Sequence, residues 1–273
     1  MIGNIMGNVK ANKPLIHNIT NYVTVNDCAN ILLGCGASPL MTDEILEADD
    51  ITAISSGLNI NIGTLNSRTI EAMKVYGKKA SEVGKPIVLD PVGAGASTLR
   101  TNTVNDLLKE VNFTVIKGNI SEIKSILYKS GNTSGVDASE GDLFGEDSFK
   151  EGVEIARKLS RLTGAVIVIT GEIDIVSTED ESYIVRNGHP LMAKVTGTGC
   201  MLSSLIAAYI SANRESILEA TVVAVCLMGV AGEVSYTRLN SEQGNGSYKV
   251  NILDVINNAD ESFLSERGRY ELI

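Results

Sequence analysis

The chain contains no tryptophan, and aromatic residues make up only 4% of its 273 positions. Its core must therefore be built from Ile, Val, Leu and Ala, and an apolar share of 44% is ample for a substantial one. Positive charge is also scarce: 23 Lys and Arg stand against 33 Asp and Glu, a net charge of −10. No segment gathers Lys and Arg densely, so the footprint of a nucleic-acid binder is missing. A bound anion would have to be held by backbone amides, a few local cations or a metal. The two histidines, His17 and His189, and four cysteines without a C-x-x-C pair offer no zinc-ligand spacing. The opening stretch MIGNIMGNVK has no uninterrupted hydrophobic segment of the signal-peptide kind. The longest nearly uncharged apolar run lies between Glu219 and Glu233, too short for a bilayer, and reads as a buried helix. These absences set the expectation of a cytoplasmic, reduced protein with neither membrane nor nucleic-acid partner.

What is present is a steady alternation. ITAISSGLNINIG (51–63), PIVLDP (86–91), FTVIKG (113–118) and AVIVITG (165–171) read as strands bounded by Gly, Pro or Asn. Between them, 67–84, 97–111 and 148–164 carry apolar residues at helical spacing, each opening on a Ser placed as an N-cap. Near-continuous Val/Ile strands separated by helices predict an α/β fold, a mostly parallel sheet covered on both faces. With no internal repeat and no linker, residues 1–273 read as one domain. The stretch 129–147, rich in Gly, Ser, Asp and Glu, reads as a mobile surface excursion in preference to a lid. Cys28 and Cys35 share a helix face in the core, Cys226 is buried, and both histidines read as structural hydrogen-bonders.

Parallel-sheet proteins bind ligands beyond the carboxyl ends of their strands, and polar residues recur there. Asp90 ends one strand before the glycine-rich turn DPVGAGAST, Lys117-Gly118-Asn119 end another, and Thr170-Gly171 a third. Asn119 and Glu122, three apart in KGNISE, share a helix face; the pair suits a hydrated Mg²⁺ or an N-terminal capping box. Asp90 is either a second oxygen anchor or an Asp-Pro turn initiator. In VTGTGCMLSSLIAAY (195–209), Gly197, Thr198 and Gly199 leave backbone N–H groups uncovered at a helix start, an anion site. Cys200 behind them is either a helix-starting hydrophobe or a group whose thiolate the helix end favours. Together these make a phosphoryl-transfer kit of metal, anion cradle and nucleotide ledge. The Walker signature is absent, which excludes a P-loop protein.

Asn-x-x-Glu at 119–122 and Gly-Thr-Gly-x at 197–200 resemble, in order and context, the ribokinase-like kinases of vitamins and sugars. Cys200 stands where sugar kinases of that fold carry an Asp base, which points to the vitamin branch. PLIHNITNYVTVNDCANILLGCGASPLMTDEILE (14–47), GLNINIGTLN (57–66), KPIVLDPVGAGAS (85–97) and GHPLM (188–192) resemble the hydroxyethylthiazole kinases of thiamine biosynthesis and salvage. The likeness runs from about residue 14 to 236. It implies an ATP- and Mg²⁺-dependent kinase of the primary alcohol of 4-methyl-5-(2-hydroxyethyl)thiazole, working as a homotrimer. On that resemblance Met41 and Gly197 line the thiazole pocket, with Asn21 and Val23 contributing across a subunit boundary. Lys117, Asn119, Thr170, Thr198 and Gly199 serve ATP, Asp90 and Glu122 anchor magnesium, and Cys200 sits by the substrate hydroxyl. Part of the family has Arg at Lys117, a bidentate fork in place of a point charge. A phosphomethylpyrimidine kinase shares the fold and a Gly-Thr-Gly-Cys turn, but His17 to Asn21 and Met41 speak against it. A non-catalytic ligand-binding relative is opposed by Asp90, Asn119, Glu122 and Cys200.

Overall fold

A computed structural model describes residues 4–128 and 149–273. The chain opens with α1 (Ile5–Asn12), β1 (Leu15–Ile19), α2 (Val25–Cys35) and β2 (Ser38–Met41). Next come α3 (Ala48–Ile54), β3 (Gly57–Asn61), α4 (Ser67–Glu82) and β4 (Ile87–Asp90). The alternation continues through α5 (Thr98–Glu110), β5 (Val115–Asn119), α6 (Ile120–Tyr128), α7 (Phe149–Thr163) and β6 (Val166–Thr170). A hairpin of β7 (Asp174–Ser177) and β8 (Ser182–Val185) precedes α8 (Thr198–Ala212) and α9 (Ile217–Thr237). The chain then runs through α10 (Asn245–Asn258), α11 (Glu261–Arg267) and β9 (Tyr270–Leu272).

The strands form one sheet in the order β2-β1-β3-β4-β5-β6-β7-β8-β9. Pairings from β2 to β6 are parallel and those from β6 to β9 antiparallel, so the sheet is mostly parallel with helices on both faces. Side chains alternate between faces along each strand, and here the two faces carry different residues. Val88, Val115, Val166, Val168, Val176 and Val185 face the layer that includes α8 and α9. Ile60, Ile87, Leu89, Ile116, Ile167, Ile169, Ile175 and Ile184 face α4 to α7. The shorter valines suit a face covered by α8, whose residues Met201 to Ile210 are all buried. Period two then places Asn59, Asn61, Asp90 and Lys117 on the valine face, under α8.

Several boundaries depart from the sequence pattern. Residues 51–54 end α3 instead of starting a strand, because Asp49 and Asp50 in the first turn favour a helix N-terminus; the strand begins at Gly57. Ser67 is the first helical residue of α4, and Asn66 is its N-cap, with a reciprocal capping box to Thr69. Ser97 does cap α5, accepting from the Arg100 N–H at 3.3 Å. The apolar run around Glu219–Glu233 belongs to a helix of 21 residues, so it is not too short: length and composition would let it cross a membrane. It is a core helix nonetheless, with 78% of its most apolar window buried. Cys28, Cys35 and Cys226 are buried as the patterns imply. The stretch 129–147 and Ser148 lie outside the described residues.

Gly229 sits where α9 crosses the segment after β8. A Cβ there would stand 2.5 Å from the Asn187 carbonyl oxygen, a backbone atom with little room to move. Gly229→Ala should therefore cost about 1–3 kcal/mol of stability through overpacking. Urea unfolding of the two proteins checks this, and equal midpoints would refute it.

Candidate active site

The polar ends of β1, β3, β4, β5 and β6 and the edge strand β2 form one row. Met41 pairs in register with Asn18, Asn61 with Asp90, and Asn119 with Thr170. Six strands spaced ~4.8 Å apart put roughly 24 Å between Met41 and Thr170. The first turn of α8 lies over the middle of this row.

That turn begins at Gly197, which has φ of 98° and packs so close that a Cβ would meet Thr24 Cγ2 at 2.9 Å. Only glycine satisfies both demands. The helix start leaves its first N–H groups without intrahelical acceptors. The Thr198 hydroxyl turns back to the carbonyls of Met192 (3.3 Å) and Val195 (3.4 Å), bracing the turn. Cys200 projects onto the strand ends, where Asn21 Nδ2 (3.2 Å) and Asn61 Nδ2 (3.3 Å) both donate to its sulfur.

Beside it, Lys117 Nζ lies 3.0 Å from Asp90 Oδ1 and donates to the Gly199 carbonyl at 3.2 Å. Asp90 Oδ2 accepts from Asn61 Nδ2 (2.8 Å) and from the Ser203 hydroxyl (2.6 Å). Burial works against the Lys117 charge, but Asp90, Cys200 and Glu122 outweigh it and hold the ammonium above its usual range. Burial, seconded by Asp90, pushes the Cys200 thiol up, against the pull of Lys117 and the hydrogen bonds of Thr24 and Asn21. In the chain alone, then, burial and Asp90 keep Cys200 a thiol at neutral pH.

Asn119 and Glu122 do form the capping box: Asn119 N–H donates to Glu122 Oε2 and Glu122 N–H to Asn119 Oδ1, both at 2.8 Å. Glu122 Oε1 also accepts from the Gly93 N–H at 2.8 Å, which ties the glycine-rich turn after β4 to α6. Burial first and Asp90 second raise the Glu122 carboxyl to about 7, against Lys117 and these two N–H groups.

Most of the residues singled out by sequence thus lie along one row. Val23 does not join them; it is 59% exposed next to Tyr22 at 77%. Asn21 is buried and meets Cys200 of its own chain, so it reaches this site without a subunit boundary. The histidines are structural hydrogen-bonders in geometry: His17 Nε2 lies 2.9 Å from the Thr42 carbonyl, and His189 Nδ1 accepts from the Leu191 N–H at 3.1 Å. Burial lowers His17 to about 4, so its ring is neutral and donates. Sequence reasoning missed Asn61 and Ser203. The signal for Asn61 was there, since asparagines two apart in the apolar strand GLNIN demand partners.

This sheet with its strand-end row has the ribokinase-like fold. An Enterococcus faecalis ribokinase-like superfamily protein matches it with TM-score 0.63 at 13% identity, over 94% of this chain and 89% of that one. The chain belongs to the hydroxyethylthiazole kinase family, which matches residues 6–261. It is 55% identical to a hydroxyethylthiazole kinase of Clostridium acetobutylicum over 99% of both chains. A solved hydroxyethylthiazole kinase structure from Pyrococcus horikoshii matches with TM-score 0.88 at 33% identity, covering 100% of this chain and 98% of that one.

The raised Glu122 carboxyl has a measurable consequence. The folded chain keeps this proton up to about pH 7, whereas an unfolded one releases it near 4.5. In that window the folded state binds more protons, so this contribution is fully present below about 4.5 and is lost as pH rises through 7. Asp174, raised by burial to about 7, acts in the same direction. Without Mg²⁺, Glu122→Gln should flatten the decline by roughly 1–3 kcal/mol relative to the parent. Unfolding curves at about pH 5 and pH 8 test this, and parallel slopes for both proteins would count against it.

Proposed function

We propose that residues 1–273 act as one kinase domain transferring the γ-phosphoryl group of ATP to the primary alcohol of 4-methyl-5-(2-hydroxyethyl)thiazole, in thiamine biosynthesis or salvage. The carrying observation is the order of the row: Met41 at one end, Asn119 and Thr170 at the other, and Cys200 above the Asp90–Lys117 pair between them. An alcohol held near Met41, Asn21 and Gly197 points its hydroxyl at Cys200. A nucleotide held by Lys117, Asn119, Thr170, Thr198 and Gly199 brings its γ-phosphate to the same place. Val23 completes the alcohol pocket across the boundary of a homotrimer, and the setting is the cytoplasm.

The acidic residues suit magnesium. Asp90 Oδ1 meets the Lys117 ammonium at 3.0 Å, and each Glu122 oxygen keeps acceptor capacity beside one N–H. Among the described residues no three His, Cys, Asp or Glu cluster. A cation here would take one or two carboxylates, waters and substrate phosphates, the usual Mg²⁺ arrangement. Bound, it would neutralise phosphate charge. The chain supplies the rest: the α8 N–H groups and Lys117 meet the charge of the transferring group, and the row aligns acceptor and donor. The alcohol oxygen bonds to phosphorus as the bond to ADP breaks, and the hydroxyl proton passes to the Cys200 sulfur in its thiolate form, the form that gains as pH rises. A loose transition state asks little of a base.

Cys200→Ala should therefore lower kcat toward the modest end of the ~10²–10⁴-fold typical of general-base help. Cys200→Asp should stay active, and Glu122→Gln should need more Mg²⁺ for half-maximal rate. A coupled ADP-release assay with thiazole and pyrimidine alcohols reads all of these. Turnover of the pyrimidine alone would favour the phosphomethylpyrimidine kinase reading, and none with either alcohol the binding-only one.

Sedimentation should give a trimer, with exposed Tyr22 and Val23 as part of its contact. Because Asn21 and Cys200 meet within one chain, mixing Asn21→Ala with Cys200→Ala should restore no activity. A fully active monomer would defeat the trimer.

A further inference from the structure

Asn61 lies at the end of β3 with a side chain only 1% exposed. Its Nδ2 donates to Asp90 Oδ2 at 2.8 Å and to Cys200 Sγ at 3.3 Å. Its Oδ1 accepts from Asn21 Nδ2 at 3.0 Å and from the Gly63 N–H at 2.9 Å. An amide has two donor hydrogens and two acceptor lone pairs, and here all four are used. Its orientation is thereby fixed. Turning it over would set the oxygen against the Asp90 carboxylate and the NH₂ against two other N–H donors.

Asn21 is filled in the same way. Its Nδ2 serves Asn61 Oδ1 and Cys200 Sγ, and its Oδ1 accepts from the Thr24 N–H and hydroxyl, each at 3.0 Å. Gly63 allows the fit, since a Cβ there would come within 2.9 Å of Asn21 Cβ. Both amides give N–H groups to the sulfur, so a thiol proton on Cys200 must point away from them. A neutral thiol sulfur is a weak acceptor; two amide donors are worth most to a sulfur carrying negative charge.

We infer that Asn61 is a positioning residue for the phosphoryl transfer proposed above: its one amide holds the Asp90 carboxylate and the Cys200 sulfur in fixed relation, with Asn21 as its brace. The single Nδ2 bridges a group that faces phosphate and metal to the group that faces the alcohol. Movement of either is thus felt by the other. The inference rests on the reading of Cys200 as the group beside the alcohol, so its test includes a measurement independent of turnover.

That measurement is the pH dependence of Cys200 alkylation by iodoacetamide in the ligand-free enzyme, with peptide mapping to assign the site. Cys28, Cys35 and Cys226 are buried, whereas Cys200 is partly exposed. The charged or titratable groups around it are Asp90 from β4, Lys117 from β5 and Cys28 from α2. Easier access would change only the plateau rate; loss of a donor moves the midpoint. Asn61→Ala should raise the midpoint by roughly one pH unit. It should also lower kcat ~10–100-fold, as loss of an orienting partner does, with a smaller change in KM for the alcohol. In a Cys200→Ala background the same substitution should cost clearly less. Asn61→Asp keeps the shape and the acceptor but not the donors, and should be as impaired as Asn61→Ala. An unmoved midpoint, equal kcat losses in both backgrounds, or near-normal turnover by Asn61→Asp would each overturn the inference. If the Asn61 variants do not fold, the midpoint of Asn21→Ala decides: a rise supports it and no change overturns it. Full kcat in Cys200→Ala alone would sink the base reading of Cys200 while leaving the alkylation result to judge Asn61.

Discussion

The buried contact between Asp90 and Lys117 is the constraint around which the site is organised. Two opposite charges removed from water are tolerated only when geometry and further hydrogen bonds compensate. Here the compensation comes from three directions. Asn61 and Ser203 donate to one carboxylate oxygen, and the Gly199 carbonyl accepts a hydrogen bond from the ammonium. β3, β4, β5 and the first turn of α8 are thereby fastened to one another at the point where the chemistry is placed. Removing one charge strands the other, a change that typically costs ~3–5 kcal/mol, so the pair bears on folding as well as reactivity.

The same logic of compensation explains the layer beneath. Asn18, Asn59 and Ser204 form a buried hydrogen-bonded set between β1, β3 and α8, one turn below Cys200. A hydrophobic helix could slide on a purely valine face. Polar partners at stated positions give α8 one register, and through Ser203 and Cys200 that register becomes the geometry of the site. Arg100 does comparable work at the rim, donating to the carbonyls of Ile62, Val92 and Gly63 and so holding the turns after β3 and β4 together.

Much of this was legible in the sequence because strong local signals agreed. The Val/Ile runs of β4, β5 and β6 admit few other readings, and Asp90, Lys117-Gly118-Asn119 and Thr170 stand where parallel sheets bind ligands. What failed was local in a different sense. The 51–63 run looked like one strand because Ile51 and Ile54 are apolar, yet two aspartates ahead of them start a helix. The hairpin of β7 and β8 is too short to announce itself by period. Asn61 and Ser203 act through partners about thirty and more than a hundred residues distant, Asp90 and the strand ends, and no window of sequence contains both members. The capping box of Asn119 and Glu122 was foreseen as one of two readings, and the structure shows its hydrogen bonds without excluding the other role, since the same carboxylate stays beside Asp90.

The valine face also has an order of assembly. The strands it belongs to are largely complete by Thr170, but their long cover, α8 and α9, spans Thr198 to Thr237. A growing chain therefore has no long cover for this face until the residues from Thr198 to Thr237 have been made. Domains generally fold as units, and apolar surface exposed before the unit is complete invites association with other chains. The isoleucine face has its helices already in hand, interleaved with the strands. Nascent chains stalled before α8 would thus lack the cover of the one face that later carries the reaction.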